Sequence, residues 1–301
     1  MKIMVAEYAV ATGDPAIIGE GCAMLSTLAN SFGVCGHQVQ YPAMRPIAGI
    51  CGDAIRCGSD CGFAESVERI ARTCDAGIVI APDEMLSDLT AIVEENTVNL
   101  GCPSESVRKC ADKLICSRIL SESGIAVPGT SEGADSYVIK PRWGCASEGV
   151  AVLSEKRQPD DDFIITEFVA GEHLSASLIC GETVLPLTVN MQKIAVGDAI
   201  RYGGGVVPYP TPRWDEVMGV AASAADALGC RGYVGIDIVL GDRSFVVDVN
   251  PRPTTSILGV ARVINREIGD LIIRARFGGL PESVGIIGSF EFTKETLGHG
   301  F

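Results

Sequence analysis

Apolar positions along the first hundred residues alternate between two periods. Residues 2–10 read as a strand, in which Glu7 is the early interruption. Over 20–32, Met24, Leu25, Leu28 and Phe32 recur on one side of a helix. Residues 37–41 alternate like a short strand, 64–73 have helical spacing, Gly77-Ile-Val-Ile-Ala81 is a buried strand, and 84–95 is helical again. Strands alternating with helices predict a parallel sheet with helices on its faces. The pattern changes near Gly101-Cys-Pro-Ser104. Ser104 is placed to cap a helix over 105–111, and a second helical run reaches Ser123. From 137 onward strands dominate, at 137–141, 150–153, 163–168, 173–180, 184–189, 233–240 and 244–249, before helices at 256–268 and 269–277. The fold class is therefore α/β followed by α+β, with a Rossmann-like first lobe and a two-part second lobe.

The chain has 301 residues, long enough for two or three lobes. With 24 basic and 38 acidic residues its net charge is −14, which argues against a nucleic-acid or anionic-membrane partner. No apolar run approaches the roughly 20 residues of a membrane span, and no export signal is evident, so a cytoplasmic protein is expected. Twelve cysteines include no C-x-x-C pair. Cys51, Cys57 and Cys61, with Cys35, form the one loose cluster, and small core residues are the plainer reading. There is no P-loop, and Gly19-Glu20-Gly21 lacks the third glycine of a dinucleotide fingerprint. His37, His173 and His299 occur in no hydrolase or zincin context.

The most informative segment is Gly232 to Arg252. Two strands flank Gly241-Asp242-Arg243, a hairpin signal. Alternation puts Val234, Ile236, Ile238 and Leu240 on one face, matched by Phe245, Val247 and Val249, and leaves Asp237, Asp248 and Asn250 on the other. A two-residue turn at 242–243 sets Asp237 opposite Asp248, whereas a three-residue turn mixes the faces. Facing carboxylates repel, and a divalent cation such as Mg²⁺ relieves that repulsion. The alternative is a pair of solvated acids. Arg252 is a fork suited to phosphate or carboxylate. Thr254, Thr255 and Ser256 are either an anion-binding helix start or a plain cap.

Lys140 ends an apolar strand, and Gly144, Ala146, Ser147 and Gly149 follow in a loop able to offer N–H groups to phosphates. An ordinary hairpin fits that loop equally well. Lys113 opens a helix and by itself reads as a solvated residue. Glu167 ends a strand that leads into Gly171-Glu172.

Taken in order, Asp112-Lys113, Val138-Ile-Lys140-Pro, Thr166-Glu167-Phe-Val-x-Gly171-Glu172, Gly235-x-Asp237 and Asp248-x-Asn250-Pro-Arg252 resemble the ATP-grasp superfamily of carboxylate–amine ligases, over about residues 105–260. The resemblance implies an ATP-grasp fold with a Rossmann-like pre-ATP-grasp domain over 1–103, a small subdomain over 104–170 and a large one over 171–301. It implies that Lys113 and Lys140 contact ATP phosphates, with Ser147 and Gly149 in the covering loop. Glu167 and Val169 would meet adenine, and Glu172, or His173 after a one-residue shift, the ribose. Asp237, Asp248 and Asn250 would hold Mg²⁺, with Mn²⁺ as a substitute, and Arg252 the reacting phosphate. Asp248 stands where the family more often has Glu. Gly235 stands where D-alanine–D-alanine ligases carry an Arg.

Such enzymes activate a carboxylate as an acyl phosphate that an amine then attacks. Glu7-Tyr-Ala-Val-Ala-Thr-Gly, Gly19-Glu20-Gly21, Ala81-Pro82-Asp83-Glu84 and Arg201-Tyr202-Gly-Gly-Gly205 further resemble the archaeal tyramine–L-glutamate ligase family of methanofuran biosynthesis, which makes γ-glutamyltyramine. That resemblance makes Arg201, Gly204 and Glu20 candidate substrate residues. Around Arg201 and Gly204 a plain loop is the other reading. Small molecules are the expected partners, and a homodimer stays open. The competing classes are another ATP-grasp amino-acid ligase, an ATP-dependent carboxylase, and a nucleotide-binding regulator without catalysis.

Overall fold

The computed structural model describes residues 1–57, 62–144, 149–197 and 199–295, and its strands form three sheets. The first is parallel, built from β1 (Lys2–Glu7), β2 (Gln38–Ala43), β3 (Asp53–Arg56), β4 (Ala76–Ile80) and β5 (Val98–Asn99), in the order β3-β2-β1-β4-β5. Around it run α1 (Tyr8–Thr12), α2 (Ile18–Val34), α3 (Phe63–Ala71) and α4 (Asp83–Asn96). The pleat of β1 explains the two-sided cover. Ile3 and Val5 pack with Leu25, Leu28 and Phe32 of α2, while Met4 and Ala6 pack with Ile70, Leu86 and Leu89 of α3 and α4.

Next come α5 (Ser104–Ala111) and α6 (Lys113–Glu122), and then a three-stranded sheet in the order β7-β6-β8, from β6 (Tyr137–Pro141), β7 (Ala151–Leu153) and β8 (Phe163–Glu167). Ser104 is the first helical residue of α5 rather than its cap. Pro103 holds the cap position, and the Ser104 hydroxyl donates to Glu94 instead.

The largest sheet comprises β9 (Glu172–Cys180), β10 (Val184–Val196), β11 (Ile200–Val207), β12 (Gly232–Leu240), β13 (Ser244–Asn250) and β14 (Phe290–Thr293), in the order β13-β12-β9-β10-β11-β14. The remaining helices are α7 (Trp214–Ala227), α8 (Ile257–Val263) and α9 (Ile268–Phe277). Val234, Ile236, Ile238 and Leu240 turn toward Val217, Ala221 and Ala224 of α7. On the opposite side of the sheet Tyr233 and Ile179 join a core with α2, α8 and α9. Both cores thus run from the parallel sheet into the large one. Among the described residues no helix is long and apolar enough to cross a membrane.

The hairpin differs from its predicted register in an instructive way. Leu240 pairs with Ser244, so the turn has three residues, Gly241 to Arg243. A register shift after Asp237–Asp248 leaves Val247 as the extra residue of a β-bulge. The bulge restores the parity that the longer turn removes, and Asp237 still faces Asp248. Its cost falls on the apolar face: Val249 enters the core as predicted, but Val246 takes the place of Phe245 and Val247.

Candidate active site

A cleft of about 310 Å³ lies where the three sheets meet, within the size range of small-molecule sites. The ends of β1 and β4 supply Glu7 and Ile80, the small sheet supplies Lys140 and Thr166, and the large sheet supplies Asp237 and Asp248.

Asp112 places the first lysine. Its carboxylate caps α6, accepting from Leu114 and Ile115 N–H at 3.1 and 3.2 Å. The same carboxylate takes the Arg142 fork, Nε at 2.9 Å and Nη2 at 2.7 Å. The start of α6 is thereby fastened to the end of β6, which brings Lys113 beside Lys140. Lys113 is only 8 % exposed, which excludes a solvated helix position. Its Nζ donates to the Gly144 carbonyl and lies 3.8 Å from Asp248 Oδ1 and 4.0 Å from Asp83 Oδ2. Lys140 Nζ donates to the Val247 carbonyl at 2.7 Å, on the bulge residue itself. Burial lowers the Lys140 pKa, and Asp248 opposes that shift.

The acids are shaped by the same confinement. Burial, followed by the charge of Asp248, pushes the Asp237 carboxyl up to about 7. Its Oδ1 accepts from Gln192 Nε2 at 2.9 Å and its Oδ2 from Asn250 Nδ2 at 3.4 Å. Asp83, at the start of α4, is buried, and its Oδ1 lies 3.5 Å from Arg252 Nε. Burial raises the Asp83 pKa against the pull of Arg252. Glu7 caps α1, accepting from Val10 N–H at 2.7 Å, and burial pushes its carboxyl up to about 7.

Two sequence similarities bear on this cleft. Residues 110–256 match the family model for the ATP-grasp domain. The chain is also 32 % identical over 271 residues to the tyramine–L-glutamate ligase of Methanocaldococcus fervens, covering 86 % of this chain and 89 % of that one. The chain belongs to the ATP-grasp superfamily. An ATP-grasp superfamily protein from Archaeoglobus fulgidus has a similar structure, with TM-score 0.76, 28 % identity, and coverage of 94 % of this chain and 90 % of that one. The N5-carboxyaminoimidazole synthetase of Staphylococcus aureus, complexed with ADP, shares the fold at 12 % identity, with TM-score 0.72 and coverage of 96 % of this chain and 80 % of that one.

In this ATP-grasp cleft, Lys113, Lys140, Glu167, Val169, Asp237, Asp248, Asn250 and Arg252 all line one space, and Glu20 joins them from α2. Other candidates lie elsewhere. Glu172 is exposed and accepts from the Tyr209 hydroxyl at 2.7 Å, whereas His173, its neighbour on β9, faces the cleft. Arg201 is exposed on β11 and outside the lining, although Ile200 and Tyr202 belong to it. The Arg201–Gly205 segment is strand rather than loop. Gly204 has φ +137°, and a Cβ there would sit 2.1 Å from the Phe292 carbonyl oxygen, so it serves the pairing of β11 with β14. Gly149 turns against Pro141 at φ +69°. Ser147 lies outside the described residues, as does Cys61; Cys35, Cys51 and Cys57 are free thiols. Gly235 abuts Thr254, whose Cγ2 would be 2.8 Å from an added Cβ.

The residues fit a magnesium ion that shares phosphate oxygens. Asp237 and Asp248 face each other with the Asn250 amide beside them, an all-oxygen donor set. Burial first and the Asp248 charge second raise the Asp237 pKa, and a cation would offset that repulsion. Among the described residues no group of three or more His, Cys, Asp or Glu is placed to hold a metal alone. Phosphate oxygens would complete the coordination.

Glu7 and Gln192 line the cleft, and Asp83 stands beside its Lys113 and Arg252; the sequence reading gave none of the three a role. Glu7 is the last residue of β1 and Asp83 opens α4 three residues after β4 ends, both at the carboxyl ends of parallel strands, the usual ligand edge of such sheets. Gln192 carried no signal, because it lies beyond 184–189, the span over which the sequence predicts this strand.

Proposed function

We propose that this ATP-dependent ligase joins L-glutamate to tyramine through the γ-carboxylate, forming γ-glutamyltyramine, ADP and phosphate. The observation that carries it is the convergence of two lysines, two aspartates, Asn250 and Arg252 in one cleft. The chain that builds this cleft resembles an enzyme named for that substrate pair over most of its length.

A carboxylate resists amine attack because oxide is a poor leaving group. Phosphorylation gives it a good one, so the protein's task is positioning and charge neutralisation. Lys113 and Lys140 bring two positive charges to the triphosphate. Arg252, steadied by Asp83, meets the phosphoryl group in transfer. Glu167 and Val169 sit where the small sheet passes into the large one and border the adenine. Asp237, Asp248 and Asn250 would hold Mg²⁺, or Mn²⁺ in its place, which would supply further neutralisation of phosphate charge. The cleft walls keep water from an acyl phosphate that would otherwise hydrolyse. An ATP-consuming condensation of two metabolites suits a cytoplasmic enzyme.

The test is ADP release with Mg-ATP, amino acids and amines, with products identified by mass. Turnover requiring both L-glutamate and tyramine, with a condensed product, supports the reading. Turnover with another pair, or with bicarbonate, would replace the substrates. Tight ATP binding without any turnover would overturn catalysis.

A further inference from the structure

One end of the cleft holds an ion pair that the phosphate chemistry does not use. Glu20, in the first turn of α2, lies 3.4 Å through Oε1 from Lys294 Nζ, and its Oε2 accepts from Thr255 Oγ1 at 3.0 Å. All three residues line the cleft. Lys294 follows β14 directly, with Nζ 5.9 Å from the centre of the Tyr202 ring. Thr255 stands three residues after Arg252, so this pair and the phosphate-binding guanidinium are held by one short segment. Burial raises the Tyr202 pKa, which keeps its phenol neutral and able to donate a hydrogen bond.

We infer that the Glu20–Lys294 pair is the docking point for the α-ammonium and α-carboxylate of the amino-acid substrate. This inference rests on the ligase reading above and adds which side chains hold the amino-acid head and so select the γ-carboxylate. The pair is a carboxylate beside an ammonium, and a zwitterion presents the same two charges in complementary order. On binding, the substrate α-carboxylate replaces Glu20 at Lys294, and the α-ammonium replaces Lys294 at Glu20. Charge is conserved in the exchange. The Lys294 and Glu20 side chains are 40 % and 23 % exposed, and a partly solvated pair is weakly held and opens readily. Thr255 keeps Glu20 in place once Lys294 has turned to the substrate. With the amino-acid head fixed there, the side-chain carboxylate is the one that extends toward Arg252 and Asp248. The product is then a γ-amide with free α groups.

The test pairs variants with altered substrates. L-Isoglutamine keeps the γ-carboxylate and carries an amide in place of the α-carboxylate. In the wild type its KM should exceed that of L-glutamate by about 10- to 100-fold, the worth of a charge-assisted hydrogen bond. Lys294→Ala should raise the KM for L-glutamate by a similar factor, leave kcat within a few-fold, and abolish discrimination between the two substrates. Lys294→Arg should restore discrimination. Glu20→Gln should likewise erase the preference for L-glutamate over glutarate, which lacks the α-amine. If Lys294→Ala keeps full discrimination while the wild type condenses glutamate and tyramine, the docking role is overturned and the ligase reading stands. If the wild type does not turn over glutamate at all, both are overturned.

Discussion

At Glu7 a carboxyl sits 3 % exposed, with its charge opposed by burial and supported only by α1 backbone N–H groups and the distant Arg252. Its folded pKa, about 7, lies above the ordinary 4.5. The protonated form is therefore the one that folding favours. The stability it contributes is complete below about 4.5 and is lost as pH rises through about 7. Glu7→Gln keeps an acceptor for Val10 and removes the titration. The variant should gain on the wild type between pH 5 and 8, by on the order of 3 kcal/mol at most, measured as the difference in urea unfolding free energy. A constant difference across that range would remove Glu7 as the titrating group. Asp248→Asn acts on chemistry instead. Asp248 faces Asp237 and stands 3.8 Å from Lys113. Its loss should abolish Mg²⁺-dependent turnover, by about 10²-fold or more, with the circular dichroism spectrum unchanged. Full activity in that variant would remove the metal assignment.

Among the elements, the link from β8 to β9 joins the small sheet to the large one. It passes under the tip of the metal hairpin, where a Cβ on Gly171 would lie 2.4 Å from the Leu240 carbonyl oxygen. Backbone cannot yield as a side-chain end does. Gly171→Ala should destabilise by about 1–3 kcal/mol and raise the KM for ATP, because the hinge and the hairpin must part. An unchanged urea midpoint and KM would show that the link is free to move there. The same region shows what the chain order reveals and what it hides. The acids Asp237 and Asp248 were legible because each alternates with apolar neighbours in its own strand, although it is the bulge that sets them opposite one another. The bulge at Val247 was not, since nothing local marks the residue that a sheet leaves unpaired. Helices α2 to α6 and most strands followed from apolar spacing. Strands β11 and β14 did not, because Gly203–Gly205 and Phe290–Thr293 become strands only by pairing with each other and with β10. Glu172 and His173 differ by one pleat, and only their partners, Tyr209 and the cleft, tell them apart.

For the whole molecule, the cleft is built from all three sheets, and two continuous cores tie the parallel sheet to the large one. A ligand that fills the cleft binds the folded chain and not the unfolded one. Mg-ATP at 100 times its Kd should add about 2.7 kcal/mol, a rise in Tm of about 5 °C for a chain of this size. ATP with a chelator should give much less, and Asp248→Asn should remove the difference. A shift independent of Mg²⁺ would mean that the nucleotide alone pays for closure. The net charge of −14 makes the local cluster of Lys113, Lys140 and Arg252 the feature that admits an anionic nucleotide. That cluster could be read from motif order, but its partners Asp83 and Glu7 arrive from the other end of the chain.

The hairpin of β12 and β13 carries a bulge that offsets an odd-length turn, and this ties the spacing of its two acids to the presence of the bulge. Of the ten residues between the two acids, three form the turn, six pair and Val247 is left over, so a residue gained or lost within either paired strand must be taken up by the bulge if the acids are to keep one face. Homologous chains that keep both aspartates and a three-residue tip should therefore hold the bulge when ten residues separate the acids and lack it when nine do.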